Sequence, residues 1–266
     1  MTYLVVMVAG MSSRFGGKPK QMAIIGPNNE TLIEYSINQA IKNPFDKIVF
    51  ITNQKTEELF INIFKKEYKG IPVMYVQQVY DTSKRIRPWG TGDAIASLYN
   101  VFKNENCNNF ILINGDDIYG ENTFSEGYNM IHDKDFSIIA GLPVKDTIPD
   151  KGSVNRGIIT IDGDNVIKLE ERIGISKDNN PELMDQLANV NFIGLQINAL
   201  EHIYNLNNEF KKNNSEDEKI ESLLTSHLDY IVNKDLVKLK YFYIKNPIYG
   251  ITNPGDEVTL KKLLKK

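Results

Sequence analysis

The sequence has 266 residues, of which 41% are hydrophobic and 24% charged, which is enough to bury a substantial core. Its 31 lysines and arginines are balanced by 34 aspartates and glutamates, so no overall basic field points to a nucleic-acid partner. The lone cysteine, Cys107, excludes an internal disulfide and a multi-cysteine zinc site. Without a bilayer-length apolar run or the basic start of a signal peptide, we expect a cytoplasmic protein with no membrane partner.

The first predicted element is a buried strand over Leu4–Ala9, which leads into a loop reading GMSSRFGGKPKQ from Gly10 to Gln21. Glycines let backbone N–H groups approach a ligand closely, and the loop adds serines and three cations, a combination that suits phosphate. Neither the P-loop spacing nor the dinucleotide pattern G-x-G-x-x-G fits. A longer triphosphate loop that uses Arg and Lys side chains remains, and a solvated basic turn is the competing interpretation.

After this loop, helices and strands alternate. Thr31 and Glu34 form a capping-box pattern for a helix through Ile41. The elements that follow are predicted at 46–52 (strand), 56–68 (helix), 72–77 (strand), 88–102 (glycine-rich entry and helix) and 109–114 (strand). This alternation predicts a parallel, helix-flanked sheet with ligands beyond the carboxyl ends of its strands.

Two further segments could contact a ligand. PWGTGDA at 88–94 leaves free helix N–H groups for a phosphate or a base edge, although Trp89 by itself is better explained by packing. Asp116 and Asp117 follow a buried strand and a glycine, and Mg²⁺ binds to one or two carboxylates together with phosphate oxygens and water. A turn in which aspartate caps the next helix is the competing interpretation.

The second half of the sequence is less regular. Strands are predicted at 136–142, 158–162, 166–170 and 237–244, and helices at 198–211 and 219–233. A charged cluster at 170–172 is typical of a solvated surface. The histidines are scattered along the sequence and support neither a catalytic triad nor a metal cluster.

Together these segments resemble the nucleotidyltransferases that make nucleotide-activated sugars, the nucleotide-sugar pyrophosphorylases. The matching segments are GMSSRFGGKPKQ, PWGTGDA, NGDDIYG, VNRG, LEER, NVNF and the closing YGITNPGD, in the family's order. The resemblance implies an α/β fold, a Rossmann-like three-layer α/β/α sandwich with a mixed, mostly parallel central sheet. It also implies one nucleotidyltransferase domain over 1–266, with a nucleotide-binding half at 1–125 and an acceptor-binding half at 126–266.

The implied reaction transfers a nucleoside monophosphate from an NTP to a phosphorylated small molecule, with Mg²⁺ as cofactor and release of pyrophosphate. The family's commonest acceptor is a sugar 1-phosphate, whereas some relatives use CTP to activate phosphocholine, a phosphonate or a phosphorylated amino-acid amide. The expected partners are the NTP and the acceptor, without nucleic acid or membrane, and a homo-oligomer is left open. A catalytically silent nucleotide sensor and a Rossmann dehydrogenase are the alternatives from other classes.

The resemblance assigns each site residue a role. The implied catalytic residues are Arg14 and Lys20. The implied nucleotide-binding residues are Ala9, Gly10, Met11, Ser12, Ser13, Gln78, Gly90 and Thr91, with Gln77 as an alternative to Gln78. The implied metal ligand is Asp116. The implied acceptor-binding residues are Asp117, Gly157, Glu171, Arg172 and Asn191.

One departure from the family concerns the metal. Many members supply a second Mg²⁺ ligand at about the position of Gly250 or Thr252, and this sequence has no carboxylate at either position. Thr252, Asn253 and Asp256 are the substitutes nearby, and an ion held by Asp116, phosphates and water is the remaining option. A second departure is the insertion at 79–87, between Gln78 and Gly90, which could alter base choice.

Overall fold

The structure, a computed structural model, describes residues 1–10, 19–149, 152–251 and 255–264. The strands within these ranges are β1 (Thr2–Met7), β2 (Lys47–Thr52), β3 (Glu67–Tyr68), β4 (Ile71–Gln77), β5 (Asn109–Asn114), β6 (Asp117–Ile118), β7 (Ser137–Pro143), β8 (Val154–Asp162), β9 (Asn165–Ile175), β10 (Leu187–Gln196), β11 (Leu239–Tyr243) and β12 (Tyr249–Gly250). The helices there are α1 (Leu32–Ala40), α2 (Glu57–Phe64), α3 (Thr91–Ala96), α4 (Tyr99–Phe102), α5 (Glu121–Ile131), α6 (Ile197–Asn213), α7 (Leu224–Asn233) and α8 (Asp256–Leu263). No helix in these ranges is long and apolar enough to cross a membrane.

Ten of the described strands form one sheet in the order β3-β4-β2-β1-β5-β10-β7-β11-β9-β8. The neighbours β4, β2, β1 and β5 are parallel, whereas β10 runs antiparallel to both β5 and β7. The predicted α/β fold and its mixed sheet are confirmed. The parallel pairing is confined to β4-β2-β1-β5 and to β7-β11, and the remaining pairs of this sheet are antiparallel.

Helices cover both faces of the sheet because successive residues of its buried strands alternate between two cores. Leu4 and Val6 of β1 belong to the core that contains apolar residues of α1, α2 and α5. Val5 belongs to the opposite core, with residues of α3, α6 and α7. One apolar layer therefore lies on each face of the sheet. A ligand site can form at the ends of the strands.

The start of α1 follows the predicted capping box. The backbone N–H of Glu34 donates to Thr31 Oγ1 at 3.3 Å, and the backbone N–H of Thr31 donates to Glu34 Oε2 at 2.9 Å. Two other predicted helices were too long. The helix predicted at 56–68 ends at Phe64, since Lys65 has φ +53° and the chain then turns into β3.

The helix predicted at 219–233 begins only at Leu224, because the preceding residues bond to a distant part of the chain. The backbone N–H of Ser222 donates to the carbonyl oxygen of Trp89, and the backbone N–H of Gly92 donates to the carbonyl oxygen of Ser222 at 2.8 Å. Residues 217–222 thus cover the entry to α3 instead of extending α7.

His227 makes the stability of this region dependent on pH. It is buried, its Nε2 lies 2.7 Å from Ser222 Oγ, and burial lowers its pKa from the usual 6.5 to about 4. The folded chain therefore keeps His227 neutral at a pH where the unfolded chain protonates it. We expect this residue to lower the free energy of unfolding by roughly 3 kcal/mol as the pH falls from 7 to 4.

Denaturant unfolding across that pH range tests this expectation, with His227→Gln as the comparison. The difference in stability between the wild type and the variant should change between pH 6.5 and pH 4 and stay constant above pH 7. A constant difference over the whole range would contradict the lowered pKa.

Candidate active site

A cavity of about 460 Å³ lies at the carboxyl ends of β1, β4 and β5. Apart from the alternatives Gln77 and Asp256, every described residue that the sequence analysis assigns to nucleotide binding, catalysis or metal binding lines it: Ala9, Gly10, Lys20, Gln78, Gly90, Thr91 and Asp116. The predicted residues Met11, Ser12, Ser13 and Arg14 lie outside the described residues. Three separate strand ends and the entry to α3 thus contribute to one concave surface.

Gln78 and Gly90 are joined directly on one side of this cavity. The side-chain Nε2 of Gln78 donates to the carbonyl oxygen of Gly90 at 2.9 Å and to Asp93 Oδ2 at 3.0 Å. Gln77, the alternative, donates instead to Glu57 at 2.9 Å and is largely exposed. Of the two glutamines, the structure places Gln78 against Gly90.

Position 90 requires glycine for two reasons. Its φ is +98°, a conformation that other residues rarely adopt, and a Cβ there would lie 2.7 Å from the carbonyl oxygen of Ser222. The close approach of residues 217–222 to the α3 entry therefore depends on this glycine.

The insertion at 79–87 is anchored by Arg85, a residue that the sequence analysis did not single out. The Arg85 guanidinium lies 3.4 Å from the Trp89 ring centroid and is 3% exposed. It donates to the carbonyl oxygens of Asp217 and Ile220, the latter at 2.6 Å. Trp89 is therefore a packing residue, and Arg85 joins the insertion to a segment 132 residues further along the chain.

We expect Arg85→Met to lower the free energy of unfolding by about 2 to 4 kcal/mol, because it removes a buried guanidinium that packs on Trp89 and makes two part-buried hydrogen bonds to carbonyl oxygens. Arg87→Met is the matched control. Arg87 makes an exposed ion pair with Glu221 at 3.3 Å, so its loss should cost about 1 kcal/mol or less. Denaturant unfolding measures both variants, and equal effects would show that Arg85 does not anchor the insertion.

The two adjacent aspartates have different surroundings. Asp116 lies at the cavity with its Oδ2 3.5 Å from Lys20 Nζ. Asp117 accepts a hydrogen bond from Asn114 Nδ2 at 2.8 Å, and its Oδ2 lies 3.5 Å from the buried Tyr119 hydroxyl. Burial, and next the charge of Asp116, raise the pKa of Asp117 to about 7.

Gly250 lies opposite Asp117. The strands β6 and β12 pair antiparallel with Gly250 directly across from Asp117, and a Cβ at position 250 would overlap Asp117 Oδ1. The carboxylate of Asp117 thus takes the space that a side chain at 250 would need. Thr252 and Asn253 lie outside the described residues, and Asp256 is the first residue of α8.

Four of the predicted acceptor residues lie on the antiparallel strands β8, β9 and β10. Gly157 pairs with Glu171, and a Cβ at position 157 would lie 2.9 Å from Thr225 Cγ2. Thr225 is also hydrogen-bonded to the Glu171 carboxyl, whose pKa is raised by burial. Gly157 and Glu171 are therefore held together at the start of α7.

Asn191 occupies a bulge in β10. Its φ is +57°, and its backbone N–H donates to Asn189 Oδ1 at 2.8 Å. Backbone strain of this kind often occurs at functional sites. The carbonyl oxygens of Val190 and Asn191 lie 3.0 and 3.4 Å from the Tyr119 hydroxyl, which also contacts Asp117, so the bulge lies close to the paired aspartates.

The structure places a second basic residue, Arg156, in the same region as the predicted residue Arg172. Arg172 is half exposed and contacts Glu170 at 3.1 Å. Arg156 is half-buried, donates to the carbonyl oxygen of Thr147 at 2.6 Å, and interacts electrostatically with Asp117 and Glu171. The structure thus places Arg156 near Asp117 and Glu171, two of the predicted acceptor residues. Arg156 lies within the VNRG motif, and this position was the sequence signal that could have identified it.

Comparison of the sequence with models of known protein families identifies the family of this chain. Residues 5–187 match the family model described as nucleotidyl transferase, which is more than half of the chain. The chain therefore belongs to the nucleotidyl transferase family, and it is an enzyme of the nucleotidyltransferase class, EC 2.7.7. A comparison with curated protein sequences gives no match.

Solved structures share the fold over nearly the whole chain. A putative glucose-1-phosphate thymidylyltransferase from Bacillus anthracis has a TM-score of 0.73 and 14% identity, covering 100% of this chain and 96% of its own. The inositol-1-phosphate CTP transferase from T. maritima has a TM-score of 0.66 and 15% identity, covering 99% and 96%. The UTP-bound UGPase from Acinetobacter baumannii has a TM-score of 0.66 and 14% identity, covering 99% and 93%.

Proposed function

We propose that the enzyme transfers a nucleoside monophosphate from an NTP to a sugar 1-phosphate and releases pyrophosphate. The observation that carries this proposal is that Lys20, Asp116, Gln78 and Gly90 line the same cavity. The cluster around Glu171 supports an acceptor subsite beside it, because Arg156 interacts with both Glu171 and Asp117.

In this reaction a phosphate oxygen of the acceptor attacks the α-phosphorus of the NTP. The bond between the α-phosphorus and the bridging oxygen breaks, and pyrophosphate leaves with the electron pair. Since the attacking oxygen is already anionic, no strong general base is needed. Catalysis then depends on positioning and on neutralising phosphate charge, which is the role we assign to Lys20 and, outside the described residues, to Arg14.

The described carboxylates fit a Mg²⁺ ion that takes most of its ligands from substrate and water. No group of three or more His, Cys, Asp or Glu side chains with metal-binding geometry occurs in the described ranges. Asp116, at the cavity, is the protein ligand we propose, and a bound Mg²⁺ would neutralise triphosphate oxygens. Asp117 lies beside it and takes the space opposite Gly250.

Two other functions have support from specific observations. Transfer from CTP to a non-sugar phosphate is the second candidate, because the inositol-1-phosphate CTP transferase from T. maritima shares the fold. A catalytically silent nucleotide sensor is the candidate from another class, since Gly250 supplies no second carboxylate. The presence of both Lys20 and Asp116 at the cavity favours catalysis.

The test is pyrophosphate release with Mg²⁺ and each of ATP, GTP, CTP, UTP and dTTP. Each nucleotide is combined with a panel of sugar 1-phosphates, phosphocholine, a phosphonate and inositol 1-phosphate. We expect release that requires one nucleotide and a sugar 1-phosphate. Release only with CTP and a non-sugar phosphate would support the second candidate. Nucleotide binding by calorimetry without any release would support the sensor.

A further inference from the structure

The orientation of the Gln78 carboxamide can be assigned from its partners. Both groups that contact its nitrogen, the carbonyl oxygen of Gly90 and the carboxylate of Asp93, can only accept hydrogen bonds. An amide turned the other way would place its oxygen against two acceptors. The carboxamide therefore directs its –NH₂ group toward Gly90 and Asp93, and both amide hydrogens are used there.

This leaves Oε1 as the hydrogen-bonding atom of the side chain that can serve a ligand. Gln78 is 7% exposed, it lines the cavity, and no donor to its Oε1 is found among the described residues. A group that contacts this amide from the cavity must therefore donate a hydrogen bond.

Asp93 is itself fixed from the opposite side. Its Oδ1 accepts from Lys211 Nζ at 2.8 Å and from Asn207 Nδ2 at 3.0 Å, while its Oδ2 accepts from Gln78. Asp93 is 5% exposed, so its position is set by these contacts from α6. Because the two oxygens have separate donors, the carboxylate cannot turn toward Lys211 without losing Gln78.

We propose that Asp93 is a positioning residue for base recognition. It holds the Gln78 carboxamide with Oε1 toward the cavity, so that Gln78 accepts a hydrogen bond from an N–H group of the base, and the position of that group on the base sets the preference among nucleotides. This inference rests on the proposed function, because it assumes that the base of the NTP lies beside Gln78. Asp93 acts through Gln78 and does not touch the nucleotide.

The test compares two substitutions at position 93. One keeps the shape of the Asp93 side chain but adds a hydrogen-bond donor, and the other changes its length but keeps it a pure acceptor. Asp93→Asn keeps the shape, but its remaining oxygen stays with Lys211 and Asn207, which aims its –NH₂ group at Gln78 and forces that amide to turn. Asp93→Glu changes the length but still only accepts. Asn207→Leu is the control, because it removes one partner of Asp93 Oδ1 but keeps Lys211 as the other partner and leaves the contact with Gln78 unchanged.

For each protein, kcat and KM are measured with ATP, GTP, CTP, UTP and dTTP, and calorimetry gives the Kd of each nucleotide. In Asp93→Asn we expect the ratio of kcat/KM between the best and the next nucleotide to fall at least about tenfold, mainly through KM. Asp93→Glu and Asn207→Leu should keep the wild-type ratio. Thermal unfolding of each variant shows whether it is folded.

An unchanged ratio in Asp93→Asn, or the same loss in Asp93→Glu, would overturn the inference. If the wild type binds nucleotides but releases no pyrophosphate with any acceptor, the proposed reaction fails, and the ratios of Kd decide the role of Asp93 in the same way. If the wild type binds none of the five nucleotides, both the proposed function and this inference are wrong.

Discussion

Replacing Lys20 with alanine is expected to reduce kcat by about a hundredfold to a thousandfold while the fold remains intact. Lys20 lines the cavity, and its Nζ lies 3.5 Å from Asp116 Oδ2. Removing a cation that neutralises the departing phosphates raises the barrier more than it weakens substrate binding, because the charge on those oxygens grows as the bond breaks. Steady-state pyrophosphate release with the preferred substrates measures the effect.

Two controls accompany this variant. Lys42→Ala removes an exposed lysine that pairs with Glu121 on the surface, and it should change kcat less than about twofold. The thermal unfolding midpoint of Lys20→Ala should stay within a few degrees of the wild-type midpoint, since the pair with Asp116 is partly exposed. A near-wild-type rate in Lys20→Ala would refute the assignment of the glycine-rich loop to the triphosphate.

Asp116→Asn is expected to have an effect of similar size, about a hundredfold to a thousandfold in kcat, together with a requirement for more Mg²⁺. The change keeps the shape of the side chain and removes the negative charge at the cavity. The rate is measured against Mg²⁺ concentration, and binding of Mn²⁺ in the presence of nucleotide is measured by electron paramagnetic resonance. The second readout does not depend on turnover.

Asp117→Asn is the matched comparison, because it makes the same chemical change one residue further along. Asp117 faces Gly250 and accepts from Asn114, and it is not among the described residues that line the cavity. We therefore expect a smaller loss, about tenfold or less, and nearly unchanged Mn²⁺ binding. The reverse order of the two variants would move the proposed metal ligand to Asp117.

Much of the fold could be predicted because its signals are local. The apolar run that ends at Gly10 indicated β1, and the pair Thr31 and Glu34 indicated the start of α1. The error at the start of α7 arose because distant residues decide the structure there. Residues 219–223 have a helical pattern, but Arg85 and the α3 entry bond to their segment and keep it out of α7.

The candidate site was partly predictable for the same reason. Motif positions such as Lys20, Gln78 and Asp116 indicated residues that lie at one cavity, although the roles assigned to them remain predictions. Asp93 lies within PWGTGDA, yet its contact with Gln78 depends on how α3 packs against β4. The position of Arg156 near Asp117 and Glu171 depends on pairing within the sheet, which a sequence pattern does not fix.

The close contact between position 250 and Asp117 restricts which residues can occur together at these two positions in related sequences. A side chain at position 250 and a carboxylate at position 117 that points toward it cannot both be present, because they would occupy the same volume. The two positions are therefore expected to covary among homologous sequences, with aspartate at 117 found mainly beside glycine at 250. An acidic residue introduced at position 250 alone would clash with Asp117 and would be selected against. We therefore expect an acidic residue at 250 to occur together with a smaller or uncharged residue at 117.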